Sequence, residues 1–209
     1  MKLYSFFRSS AAFRVRIALG LKELPYETVP IHLTRGEHRA EAFRGVNPQR
    51  RVPALVLDDG TVLIQSLAII EYLEEVHPRP ALLPADPVTR AKARAVADII
   101  GSDVHPVNNS GVLKELRSRF KADKAQINAW IAHWIREGFA AVEALIAPGP
   151  FAFGSAVTIA DICIVPQVYN AQRFKVPLDD FPKIAAVDAA ARQLPAFAAA
   201  FPEAQPDAE

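Results

Sequence analysis

Arg8-Ser-Ser-Ala-Ala-Phe-Arg-Val-Arg-Ile-Ala-Leu19 follows the β-prone opening Lys2-Leu-Tyr-Ser-Phe-Phe7 and reads as the start of a helix. Ser9 and Ser10 supply capping hydroxyls, and Val15, Ala18 and Leu19 fall on one helical face. A serine at a strand-to-helix junction meets the positive end of the helix dipole and several unpaired backbone N–H groups. That environment stabilises an anion, a thiolate included. Ser-Ser ahead of a helix is by itself usually only a cap, so a functional reading needs support from the rest of the chain.

Outward from this stretch, the first eighty residues alternate strand and helix. The pattern predicts a strand over 2–6, a helix over 10–22 and a β-branched strand over 26–31 that ends near Pro30. A polar segment over 34–45 places Glu37, His38 and Arg39 on a short exposed helix. Strands over 54–57 and 61–64 flank Asp58-Asp59-Gly60, a hairpin signal. Ser66 caps a third helix whose apolar stripe is Leu67, Ile70 and Leu73, ending near Val76. The order βαβ then ββα specifies a small mixed sheet with helices on its faces, an α/β domain over 1–80.

Residues 81–87 form the expected linker, inside a stretch 77–87 that carries four prolines and continues neither a helix nor a central strand. From 88 to 209 the β signals vanish. Helical periodicity covers 88–120, 124–146, 158–174, 181–193 and 196–201, so the second domain is expected to be all-α. Thr158 with Asp161 three residues on makes a capping box, flanked by the staple pair Val157 and Ile162; its reading is local stability.

Just over half the residues (51%) are hydrophobic, so the chain can bury a core. Twenty-four basic and 23 acidic residues are interspersed, which argues against nucleic-acid or membrane-surface partners. Met1-Lys2 leads straight into the first strand, so no signal peptide is expected and the predicted location is cytoplasmic. The single cysteine, Cys163, lies between Ile162 and Ile164 and reads as core; any thiol chemistry must come from a ligand. The five histidines lack metal-ligand spacing, and no metal is expected. Arg14, Arg16 and most other arginines read as solvated surface charges.

Two further junctions suit a ligand. A cis bond at Val52-Pro53, ahead of a strand, would turn the Val52 N–H and C=O outward to pair with an extended peptide. At Gln65-Ser66 a second helix N-terminus with a hydroxyl makes a carboxylate site. Three such junctions in one small unit, at Ser9, Val52 and Ser66, form a joint signal stronger than any one of them.

The chain resembles the zeta class of the glutathione transferase superfamily, the group that includes maleylacetoacetate and maleylpyruvate isomerases. The resemblance rests on Phe7-Arg8-Ser9-Ser10 with Arg14-Val-Arg-Ile-Ala-Leu19, Asn47-Pro48 with Val52-Pro53, Gln65-Ser-Leu-Ala-Ile-Ile-Glu-Tyr-Leu-Glu74 and Leu82-Leu-Pro84. In the helical part it rests on His105-Pro-Val-Asn-Asn109, Asp161 with Val165-Pro-Gln-Val168, and Ala171-Gln-Arg-Phe174. It implies a thioredoxin-like domain that binds glutathione, a helical domain that contributes to substrate binding, and a homodimer. Ser9 would stabilise the thiolate, with Ser10 beside it. Val52 and Pro53 would present backbone to the cysteinyl residue of glutathione, and Gln65 and Ser66 would hold its γ-glutamyl carboxylate, with Asn108 or Asn109 also near.

The implied reaction is glutathione-dependent cis–trans isomerisation of a dicarboxylic keto acid, maleylacetoacetate to fumarylacetoacetate in tyrosine and phenylalanine catabolism. The thiolate adds to the conjugated bond and leaves after rotation. Arg8 and Arg173 are the candidate partners of the substrate carboxylates. Alternatives are maleylpyruvate isomerisation in gentisate degradation, glutathione transfer to α-halo acids, and a non-catalytic interaction module.

The chain departs from the class in four places. Ala11 replaces the usual Cys, which argues against a protein thiol and leaves the serine mechanism intact, and Phe13 replaces the usual Trp. Arg51 replaces an uncharged polar residue; pairing with the glycyl carboxylate of glutathione and exposure to solvent both stay open. Ser110-Gly111 stands where maleylpyruvate isomerase-like sequences carry arginines, a tilt toward maleylacetoacetate.

Overall fold

The computed structural model describes residues 1–209. The chain divides into two compact units, one of Met1–Leu82 with Arg192–Glu209 and one of Leu83–Ala191.

The first unit is built on a four-stranded sheet in the order β2-β1-β3-β4, with β1 Lys2–Ser5, β2 Glu27–Pro30, β3 Ala54–Val56 and β4 Val62–Ile64. β1 pairs parallel with β2 (Leu3 opposite Thr28) and antiparallel with β3 (Leu3 opposite Leu55). The β3–β4 hairpin is present as expected; its turn places Gly60 at φ 86°, a backbone region that favours glycine. Pro30 ends β2 at the sheet edge, where a missing N–H removes no ladder bond. Three α-helices complete the βαβ-ββα order: α1 Ser10–Leu21, α2 Glu41–Val46 and α3 Ser66–Val76. Glu37–Arg39 forms a 3-10 turn ahead of α2. On α3 the buried apolar residues are Ile69, Ile70 and Leu73, so Ile69 takes the core position expected of Leu67.

Helix α1 is buried on every side from Ala12 to Leu19. One reason is that the chain's end returns to it, in α10 Pro195–Ala200 and the tail beyond. Phe201 meets Phe13 edge-on at 5.0 Å between centroids, and the Arg16 Nε donates to the Ala200 carbonyl at 3.0 Å. Residues 192–209 therefore group with the first unit, whereas periodicity had assigned all of 88–209 to one helical domain. A helical period records the helix, not the partner of its apolar face.

The surface reading of Arg14 and Arg16 is also corrected: both are about 1% exposed. An all-round apolar helix with two arginines inside it needs internal acceptors for them. Arg16 finds the Ser5 hydroxyl at 3.1 Å and the Phe7 carbonyl at 3.0 Å in addition to Ala200. Burial lowers its pKa to about 10, an effect opposed by nearby Tyr26 and Asp207, and it stays cationic at neutral pH. At the other end of α1, the buried Lys22 ammonium donates to Glu74 at 2.8 Å and to the carbonyls of His77 and Pro80. These contacts tie the C-terminal ends of α1 and α3 together.

The α-helices of the second unit are α4 Pro87–Asp98, α5 His105–Val107, α6 Ser110–Arg119, α7 Lys124–Leu145, α8 Ile159–Arg173 and α9 Pro182–Ala191, with one isolated β-bridge between Phe151 and Gly154. The expected continuous helix over 88–120 is broken. A π-helical segment, Ile99–Val104, follows α4, and Asn109 then caps a fresh start at α6. The capping box at Thr158 and Asp161 is formed, with Asp161 fully buried.

Gly138 on α7 faces Val104, and a Cβ there would stand 2.1 Å from Val104 Cγ2. Helix propensity alone would make Gly138→Ala stabilising by about 1 kcal/mol. The β-branched Val104 cannot swing aside freely, so the clash wins and the variant is expected to lose about 1–3 kcal/mol in chemical denaturation. A gain in stability would show that the π segment yields.

Candidate active site

Four segments of the first unit build the site. The first is the turn Phe6–Ser9, closed by Ser9 N–H donating to the Phe6 carbonyl at 2.9 Å. Ser9 caps α1, and its Oγ accepts from the Ala12 N–H at 3.2 Å. With that lone pair engaged, the hydroxyl proton is available to donate outward. Ser10, the first residue of α1, is buried. Arg8 lies over the rings of Phe7 (4.9 Å) and Phe6 (5.8 Å), which limits where its guanidinium can go.

The second segment is the loop 47–53. Asn47 is buried and braces it from within, donating from Nδ2 to the Arg51 carbonyl at 2.6 Å and accepting the Gln49 N–H at 2.9 Å. The Val52-Pro53 bond is cis, and the Val52 backbone makes no hydrogen bond within the chain. Buried Val52 packs in one cluster with Phe6, Phe7 and Phe43, which brings this loop to the Ser9 turn. The Arg51 side chain is exposed.

The third segment is the start of α3. Gln65 holds φ 69°, ψ 118°, a conformation that is strained for any residue but glycine. Its amide donates to Gln49 Oε1 at 2.8 Å, which links the two loops, and it does not cap the helix. The first-turn N–H groups of α3 therefore have no side-chain acceptor from the chain. The fourth segment is Arg14, one turn beyond Ser10, whose Nη1 donates to the Ser66 hydroxyl at 3.4 Å. A buried cation behind an uncapped helix N-terminus reinforces the same sign of potential, so this corner attracts an anion.

The structure thus brings Arg8, Ser9, Ser10, Val52, Pro53, Gln65 and Ser66 to one region. The sequence reading missed Asn47 and Gln49 as braces and Arg14 as the buried cation. Arg14 had a signal: it lies four residues after Ser10 on a helix with no polar face. The unpaired Val52 backbone and the uncapped α3 fit an extended peptide ending in a carboxylate, as glutathione does.

The remaining candidates lie in the second unit. Asn109 is engaged as the α6 cap, accepting the Gly111 N–H at 3.0 Å. Asn108 has both side-chain polar atoms buried and unpartnered, so of the two asparagines it is the one with hydrogen-bonding capacity left. Arg173, in the last turn of α8, is exposed and lies over the Phe174 ring at 4.7 Å.

A βαβ-ββα sheet with a hydroxyl-capped first helix, an unpaired Val52 backbone and an uncapped α3 has the features that the resemblance implies for a glutathione-binding class of protein. Residues 8–76 match the glutathione S-transferase N-terminal domain and residues 124–190 its C-terminal domain. The chain is 54% identical to a maleylpyruvate isomerase of a Ralstonia species over 99% of both chains, and 51% identical to a maleylacetoacetate isomerase of Pseudomonas aeruginosa over 99% of this chain and 98% of that one. A holo maleylpyruvate isomerase described as a bacterial zeta-class glutathione S-transferase superposes over the full length of both chains with a TM-score of 0.97 at 52% identity. A maleylacetoacetate isomerase from Methylobacterium extorquens with malonate and glutathione bound superposes at 0.96, with 35% identity over both full lengths. The chain belongs to the glutathione S-transferase family and, with these relatives, to its zeta class.

Proposed function

We propose that the protein is a glutathione-dependent cis–trans isomerase that converts maleylacetoacetate to fumarylacetoacetate. The observation that carries this reading is Ser9, whose hydroxyl accepts from the helix and keeps its proton to donate at the α1 N-terminus. Bound glutathione supplies a thiolate nucleophile that adds reversibly to the conjugated cis bond and is expelled after rotation, so it is regenerated.

The chain's own residues have four tasks. The first is to ionise the thiol. A hydrogen bond to a charged group contributes about 1.5–3 kcal/mol, or one to two pKa units, so Ser9 would raise the thiolate fraction at pH 7 from about 3% to between roughly a quarter and three quarters. The second is to hold the peptide, for which Val52 offers a backbone N–H and C=O. The third is to hold its γ-glutamyl carboxylate, for which the α3 N-terminus, Ser66 and Arg14 offer donors. The fourth is to bind the substrate dianion, for which Arg8 is suited by its place beside Ser9. By the family resemblance alone, Arg173 is assigned to substrate and Asn108 to glutathione. Exposed Arg51 is left to solvent or to the glycyl carboxylate.

We also infer a cytoplasmic homodimer, as the family resemblance implies; the one cysteine, Cys163, is buried and forms no disulfide.

Maleylpyruvate is the second reading, favoured by the 54% identity to the Ralstonia enzyme. The first turn of α6, where Ser110 and Gly111 stand, carries no cation and favours maleylacetoacetate. Comparing kcat/KM on maleylacetone and maleylpyruvate with glutathione present decides between them. No absorbance change on either substrate, or glutathione consumed mole for mole, would overturn isomerisation.

Ser66→Ala tests the carboxylate corner. It is expected to raise KM for glutathione roughly tenfold, about 1.4 kcal/mol, while kcat at saturation holds within about twofold, since the hydroxyl acts on binding. An equal loss in kcat would place Ser66 in the chemical step instead.

A further inference from the structure

The turn that carries Ser9 is closed by one hydrogen bond, Ser9 N–H to the Phe6 carbonyl. A β-turn closed this way leaves the N–H and C=O of its second residue, Phe7, pointing outside the ring. Both are taken up by charged groups. The Phe7 N–H donates to Asp207 Oδ2 at 3.0 Å, two hundred residues away in sequence, and the Phe7 carbonyl accepts from Arg16 Nη2 at 3.0 Å. Hydrogen bonds to ionised partners are about twice as strong as neutral ones, so the pair clamps the peptides on both sides of Phe7.

The clamp is itself anchored. Arg16 is fixed by Ser5 at the end of β1 and by the last carbonyl of α10, Ala200. The tail that carries Asp207 is held by Gln205, whose amide donates to the carbonyls of Ala199 and Phe201, and by Glu209, which pairs with Arg35 at 2.6 Å. Nothing in these contacts is needed to complete the sheet. They converge on the turn two residues before the proposed thiolate-stabilising hydroxyl.

We propose that Asp207 and Arg16 are positioning residues for Ser9: by fixing the two peptide groups of Phe7 they set the direction of the Ser9 hydroxyl, which makes the C-terminal tail part of the active site. The inference rests on the isomerase reading above and extends it to the last residues of the chain. Arg16 also fills the core, so Asp207 is the residue to vary.

The test is a pH titration of the ultraviolet absorbance of glutathione thiolate bound to the full-length protein, with kcat and KM measured alongside. Asp207→Ala is expected to raise the pH of half-ionisation by about half to one unit and to lower kcat roughly tenfold, because a displacement of an ångström at a reacting group is costly. Asp207→Asn keeps an acceptor oxygen and should fall between the two. Asp207→Glu keeps the charge but lengthens the arm and should shift the titration in the direction that alanine does. If the alanine variant does not fold, the glutamate variant is decisive. A merely structural role would lower the melting temperature and leave the titration of the folded protein unmoved, and that result in Asp207→Ala or Asp207→Glu overturns the proposal. Absence of a thiolate band in the wild type would refute the isomerase reading itself, a separate outcome.

Discussion

Ser9→Ala is expected to lower kcat/KM for isomerisation by roughly 10²–10³, the loss typical of removing one preorganised donor to an anion. The fall should lie mainly in kcat, because Val52 and the α3 N-terminus, which are proposed to hold glutathione, are untouched. The thiolate band at neutral pH should vanish and reappear only near the ordinary thiol range of about 8.5. Rates measured at rising pH should therefore recover part of the loss, since hydroxide does what the hydroxyl no longer does. Ser10→Ala is the control for the neighbouring hydroxyl. Were Ser10→Ala to abolish the band and Ser9→Ala to keep it, the assignment would pass to Ser10.

Asp161→Ala is expected to be the most destabilising single change, at about 3–5 kcal/mol, since each buried donor left without an acceptor costs about 1–3 kcal/mol. The carboxylate is fully buried and accepts from the Ala152 N–H at 2.7 Å, the Thr158 N–H at 2.7 Å and the Thr158 hydroxyl at 2.8 Å. Alanine would orphan all three at once. For a chain of this size the melting temperature should fall by about 6–20 °C, at about 2–4 °C per kcal/mol.

The pH dependence has a definite sign. Burial pushes the Asp161 carboxyl above its ordinary 3.8, against hydrogen bonds from Ala152, Thr158 and its own backbone that favour the ionised form. The folded state then binds this proton more tightly than the unfolded chain, so this group's contribution is greatest below the unfolded value and declines as pH rises through the folded one. The stability gap between wild type and Asp161→Asn should accordingly be widest at acid pH and narrow toward neutrality. A gap that widens with pH would mean that the hydrogen bonds outweigh desolvation.

The N-terminal unit and the start of α8 were largely legible because their signals are local. The Asp58-Asp59-Gly60 turn, the Ser9 cap and the Thr158–Asp161 box each depend on residues within a few positions of one another. The break of the 88–120 helix into a π segment and a new cap was less so, since the packing of Gly138 against Val104 lies far along the chain. Arg14 and Arg16 were misread for the same reason. An arginine on a helix reads as solvated unless acceptors are known, and theirs come from Ser66, Ser5, Phe7 and Ala200.

From the amino-acid order alone came the two-part architecture and the junctions at Ser9, Val52 and Ser66. Tertiary structure decided that the last helix returns to the first unit, that two arginines are buried there, and that Asp207 reaches the Ser9 turn. Local hydrogen bonding and side-chain periodicity are written in short stretches of sequence; which distant group satisfies a buried donor or acceptor is settled only when the folded chain brings them within about 3 Å of each other.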